Sequence, residues 1–130
     1  NEGKYDNVVF HRVIDRFMAQ TGDVQFGNSS LDTYNIIKAG TGGSNLPDLS
    51  SEFSDVPHTR GTLSMARTAD PNSANSQFFI CFESAPHLDR NYSVFGKVIE
   101  GMEFVDKIKR GDDSSGSVNN PDKIISFKSL

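Results

Sequence analysis

Apolar residues in this chain come in short runs broken by turn residues, and the runs carry two different periods. Val8, Val9, Phe10, Val13 and Ile14 are β-branched or aromatic and predict a strand over 8–14. Asp15 and Arg16 make a turn, and 17–21 reads as a second short strand that stops at Gly22. Further strands are expected over 61–66 (GTLSMA), 76–82 (SQFFICF) and 92–99, the last with a bulge or close approach at Gly96. A terminal strand is expected over 123–130, carried by Ile125 and Phe127. Residues 85–88 predict one helical turn. Met102, Val105 and Ile108 predict the one clear helix, over 102–109 and ended by Gly111. Short strands between turns with a single helix favour an antiparallel barrel or sandwich.

Two stretches break the pattern. Residues 1–7 read as a lead-in loop. Residues 22–51 are poor in periodicity and carry Gly27, Gly40, Gly42, Gly43 and Pro47. So long an irregular segment in a compact domain is usually functional or disordered. Its Gly40-Thr41-Gly42-Gly43 run suggests a phosphate loop, but no Lys-Ser/Thr and no helix follow, so it reads as a turn needing positive φ. The other oddity is Arg12, a cation inside an apolar strand. It fits either an ordinary exposed charge on an amphipathic hairpin or a functional group.

Composition narrows the classes. With 130 residues the chain is read as one domain, 1–130, large enough to bury a core. Ten Phe and no Trp point to an interior lined by phenylalanine. A net charge of -4 argues against a nucleic-acid or anionic-membrane surface. No apolar run reaches membrane-spanning length. The lone Cys81 excludes an internal disulfide and a cysteine-rich metal site, and after Phe78, Phe79 and Ile80 it reads as a small buried strand residue.

Candidate chemistry is sparse. His11, His58 and His87 lack metal-ligand spacing, and neither a metal nor a cofactor is expected. A Ser-His-Asp set could be drawn through Ser64 or Ser76, but no GxSxG elbow accompanies it. What remains is a collection of apolar and hydrogen-bonding residues. It fits a peptide-binding groove, or a reaction without a covalent step.

Several motifs, in one consistent order, carry a family resemblance. Phe10-His11-Arg12-Val13-Ile14 is followed by Phe17-Met18-Ala19-Gln20-Thr21-Gly22-Asp23, then by the Gly40 to Gly43 run and by Gly61-Thr62-Leu63-Ser64-Met65-Ala66. Ser76-Gln77-Phe78-Phe79-Ile80, Val94-Phe95-Gly96-Lys97-Val98 and Glu100-Gly101-Met102 complete the series. From about residue 5 to its end the chain resembles the cyclophilins, the peptidyl-prolyl cis-trans isomerases. The loop MARTADPNSANSQFF resembles the bacterial type.

The resemblance implies a mainly β fold, a closed eight-stranded antiparallel barrel with capping helices. The first two strands and the first helix have no counterpart in this chain, so the domain is expected to be N-terminally incomplete. It implies a folding helper that rotates X-Pro bonds in proline-containing polypeptides, or alternatively a non-catalytic module that binds them. The catalytic positions fall on Arg12, Phe17 and Gln20. The substrate-binding positions fall on Met18, Ala66, Arg67, Thr68, Gln77, Phe79, His87, Leu88 and Tyr92. His87 stands where many eukaryotic members carry Trp, which implies weak cyclosporin binding, and Tyr92 stands where many carry His. A monomer is expected, in the cytoplasm, with the periplasm left open.

Overall fold

The computed structural model describes residues 2–130; Asn1, the first residue of the expected lead-in loop, lies outside them. Five short strands form one antiparallel sheet: β1 (Arg12–Ile14), β2 (Met18–Thr21), β3 (Thr62–Met65), β4 (Phe78–Cys81) and β5 (Val94–Lys97). Their spatial order is β1-β2-β4-β3-β5. The fold is mainly β, as expected. It is an open sheet rather than a closed barrel among the described residues, because nothing pairs with the outer side of β5.

Five of the six expected strands exist, each shorter than expected. The 8–14 run divides. Only β1 pairs with β2, whereas Val8 and Val9, both fully buried, bond instead to the 27–28 and 122–124 segments. In β5, Leu63 faces Gly96 but Ser64 faces Val94, so Phe95 is the extra residue of a bulge. The expected strand over 123–130 does not form. It touches the 7–10 segment through Lys123 and Ile124, then departs, leaving Ile125 exposed and Phe127 packed on Tyr5 and Phe78. Period-2 apolar spacing cannot make a strand without an edge to pair with.

The helix is also shorter than expected: α1 spans Met102–Val105. Beyond it the chain winds on with Lys107 bonding to Phe104 and Ile108 to Val105, the tighter i to i+3 pattern. The spacing of Met102, Val105 and Ile108 is the three-residue period of that winding, not the 3.6 of an α-helix. All three still pack on a cluster of Val13, Ala19, Phe82 and Val118. A single 3-10 turn covers Pro86–Leu88, where a helical turn was expected.

Strand alternation sorts the sheet into two faces. Phe78 looks toward Tyr5, Phe95 and Phe127, while Phe79 looks toward His58 and Tyr92. On the Phe79 side Met18, Phe79, Cys81, Ala85 and Leu88 form a buried cluster, with Ile14, Phe17, Ala66 and Tyr92 against it. Because the side-chain period is two, a one-residue slip of β2 or β4 would turn this whole set away.

Candidate functional site

Register builds the site. Arg12 pairs with Gln20, Gln20 with Phe79, and Phe79 with Ser64, so one cross-strand row runs over β1, β2, β4 and β3. Its outer neighbour is Ser117, which bridges Arg12 from beyond β1. A cavity of about 610 Å³ opens over this row. Its lining brings together Arg12, Phe17, Met18, Gln20, Ala66, Arg67, Phe79, Leu88 and Tyr92 of the expected residues. Thr68 and Gln77 line a neighbouring cavity of about 370 Å³ that shares Gln20, Ala66 and Arg67 with the first. His87 lines neither; it is exposed and lies 5.4 Å from the Phe17 ring, centroid to centroid.

Arg12 is exposed yet held. Its Nε donates to the Ser115 carbonyl at 3.1 Å and its Nη1 to Gln20 Oε1 at 3.2 Å. Gln20 Nε2 donates to Gln77 Oε1 at 2.9 Å, and Gln77 Nε2 donates to the carbonyls of Gly40 and Gly42 at 3.0 and 2.9 Å. This relay fixes the guanidinium and leaves Nη2 without a protein partner among the described residues. Five donors in one rigid plane make arginine suited to being anchored on one edge while donating from another.

The apolar floor is deep. Met18 is 1% exposed, Phe79 5% and Leu88 7%. Tyr92 meets Phe79 edge-on at 5.9 Å, and the Arg67 guanidinium stacks 4.5 Å from the Tyr92 ring. A flat apolar ring entering here would find aromatic and thioether walls on a water-poor floor.

Beneath Phe79 lies a Ser-His-Asp alignment. His58 Nε2 is 2.9 Å from Ser64 Oγ, and its Nδ1 is 3.1 Å from Asp89 Oδ1, which also accepts the His58 backbone N–H at 2.7 Å. That backbone bond, and then the ring bond, hold the Asp89 carboxyl below the usual carboxylate range. Ser64 has no exposed surface and His58 is 1% exposed, so no substrate carbonyl can reach the hydroxyl. The triad-like set braces the pocket floor and does not supply a nucleophile. Among the described residues no group of three His, Cys, Asp or Glu is placed to hold a metal.

The glycine-rich turn has a partner that sequence reading missed. Asp23 is fully buried and accepts four backbone N–H groups: Gln25 and Phe26 on Oδ1, Gly40 and Gly42 on Oδ2. The amides that would cradle a phosphate are spent on this carboxylate. Gly40 has φ of 104° and its backbone lies close to the His11 ring, so the turn needs glycine as expected. His11 was also missed. It is 7% exposed, it lines the cavity, and neither ring nitrogen has a hydrogen-bond partner among the described residues. Burial pushes its pKa down to about 4. Asp23, directly after Thr21-Gly22, was visible as an Asx-turn former; His11 stood in the Phe10-His11-Arg12 motif, but nothing local marked its burial against the cavity.

The model of the cyclophilin type peptidyl-prolyl cis-trans isomerase/CLD family matches residues 1–129, so the chain belongs to that family. It is 58% identical over 125 residues to a probable peptidyl-prolyl cis-trans isomerase of Brucella abortus, covering 95% of this chain and 63% of that protein. Among solved structures it resembles a Cryptosporidium parvum cyclophilin type isomerase determined in the presence of the dipeptide Ala-Pro. There the TM-score is 0.75 and the identity 30%, covering 95% of this chain and 75% of that one. The cyclophilin AquaCyp293 of Hirschia baltica matches with a TM-score of 0.75 and 26% identity, over 95% of this chain and 59% of that one. The chain thus spans less than two thirds of the length of its Brucella relative.

Proposed function

We propose that this chain is a peptidyl-prolyl cis-trans isomerase domain, 1–130, that rotates X-Pro bonds in exposed polypeptide segments and so assists folding. The observation that carries this reading is the register row that sets an anchored Arg12 beside the pocket of Phe17, Met18, Phe79 and Leu88. The family and the names of the relatives support it. Amide conjugation sets a barrier of about 18–20 kcal/mol, and rotation breaks it, leaving the proline nitrogen pyramidal with a lone pair. The Arg12 guanidinium donates to that nitrogen. The proline ring sits on Met18, Phe79 and Leu88, walled by Phe17 and Tyr92. Gln20 fixes the guanidinium plane, and the backbone around Ala66, Arg67 and Thr68 pairs with the extended peptide, with Gln77 alongside. No proton is transferred and no covalent bond forms, so electrostatic stabilisation in a partly dry groove suffices.

The finer readings belong here too. The sheet is part of the family's eight-stranded, helix-capped barrel, opened at β5, whose outer side is unpaired among the described residues and carries the 52% exposed Phe95. The domain works as a monomer in the cytoplasm, with the periplasm as the alternative; one buried thiol is compatible with either. His87, exposed beside Phe17, gives weak cyclosporin affinity.

The test is exchange spectroscopy on an X-Pro peptide with the polypeptide as the cell makes it. Wild type is expected to accelerate cis-trans exchange, and Arg12→Ala to lose about 100-fold or more of that rate. Binding without acceleration by wild type would leave a proline-peptide binding module instead.

A further inference from the structure

The cavity is larger than a prolyl ring requires. Pockets of about 300–1,000 Å³ accommodate whole drug-sized ligands, and this one measures about 610 Å³. Along the cross-strand row the proline floor lies at the Phe79 end, Arg12 and Gln20 occupy the middle, and Ser117 marks the opposite end. That far end has its own construction. His11 lies there with Gly40 against its ring, and Val118 bonds to the His11 carbonyl. Ile36 and Ile37 line the same cavity from the long irregular segment, 39% and 91% exposed, three to four residues before the Gly40 that lies against the His11 ring.

We infer that this far end is a second seat of the groove, formed by Ile36, Ile37 and His11, for a large apolar side chain flanking the proline of the substrate peptide. The inference rests on the X-Pro reading of the same cavity. Three observations carry it. The seat is continuous with the proline floor through Arg12 and Gln20, so one extended peptide can fill both. The segment bearing Ile36 and Ile37 is not free to swing away, because Asp23 and Gln77 grip its base at Gly40 and Gly42. The lining contains no acidic side chain, and the buried His11 ring beneath it has no hydrogen-bonding partner among the described residues. The cations of the lining, Arg12 and Arg67, are each bonded to a backbone carbonyl, and two exposed isoleucines favour an apolar guest over a charged one. The long irregular segment thereby acquires a role: it selects substrates.

The experiment uses X-Pro peptides in which each position from three before to three after the proline is varied among Leu, Ser, Glu and Lys. Exchange rate and dissociation constant are both measured. One flanking position is expected to favour Leu over Ser, Glu and Lys by about tenfold. The pair Ile36→Ser with Ile37→Ser, both at exposed positions, should bring that preference within about twofold. Ile37→Glu should turn it toward Lys at the same position, which a general loosening of the loop would not do. Preference for Leu in binding without rate acceleration would uphold the seat while sinking the isomerase reading. Acceleration with no positional preference for Leu, a preference for Glu or Lys in wild type, or a Leu preference that survives the serine pair would each overturn the seat.

Discussion

Two walls of one cavity are held by different physics. The sheet wall, β2 and β4, is fixed by ladder pairing and by apolar burial, with Met18, Ala19 and Cys81 almost without exposed surface. The loop wall, 24–42, buries little. Ile36 and Ile37 face solvent, and its form comes from a few polar side chains bonding its backbone: Asp23, Gln77, and Asn35 within the loop itself. Packing distributes stability over many small contacts, so it fails globally. Polar pins concentrate it, so they fail locally.

Breaking the sheet wall should give the largest effect. Met18→Ala removes a fully buried side chain and is expected to cost about 4 kcal/mol of global stability, read from the denaturation midpoint. A loss confined to the loop would contradict the packing account. On the other wall, Asp23→Ala leaves four N–H groups without their acceptor and should cost about 3 kcal/mol locally. Hydrogen exchange at the Gly40 and Gly42 amides should quicken about 100-fold while Ala19 and Ile80 stay protected. Equal loosening of both walls would erase the distinction.

His11 sits where the walls meet, and its titration should show as acid sensitivity. Its folded pKa, about 4, lies below the unfolded value of about 6.5, so the unfolded chain takes the proton first. Stability is therefore complete above pH 6.5 and declines as pH falls toward 4. Nearby Asp23 favours the charged ring and Arg12 opposes it, but burial dominates. At pH 4.5 the loss should be about 2.5 kcal/mol, visible as the difference between wild type and His11→Gln denaturation curves at pH 7 and 4.5. A parallel pair of curves would show that the ring is solvated. Smallest of all, Arg90→Ala breaks an ion pair to Asp55 whose partners are 75% and 91% exposed. It should change stability by less than about 0.5 kcal/mol, the expected baseline for a surface change that belongs to neither wall.

Much of the sheet wall was legible beforehand. The β-branched and aromatic runs located β1 to β5, and the adjacent Phe78 and Phe79 had to face opposite ways. The boundaries were not legible. Val8 and Val9 have the same strand-forming character as Val13, yet they bond to 27–28 and 122–124, a choice no local pattern records. Ile125 and Phe127 alternate correctly and still form no strand. Met102, Val105 and Ile108 marked a buried stripe but not the tight winding that their spacing fits better.

By itself the sequence determined a set of apolar, aromatic and hydrogen-bonding side chains and one cation, Arg12, inside an apolar strand, because those properties belong to side-chain type and to the two-residue strand period; only the family resemblance assigned them to a proline groove. Tertiary structure alone decided that Ser115 would anchor Arg12 from 103 positions away, that Asp23 would occupy the glycine turn, and that His11, Ile36 and Val118 would line one cavity. Periodicity reports on neighbours a few residues apart. Contacts between distant segments depend on which edges find each other when the chain collapses, and that outcome is set by the whole core at once.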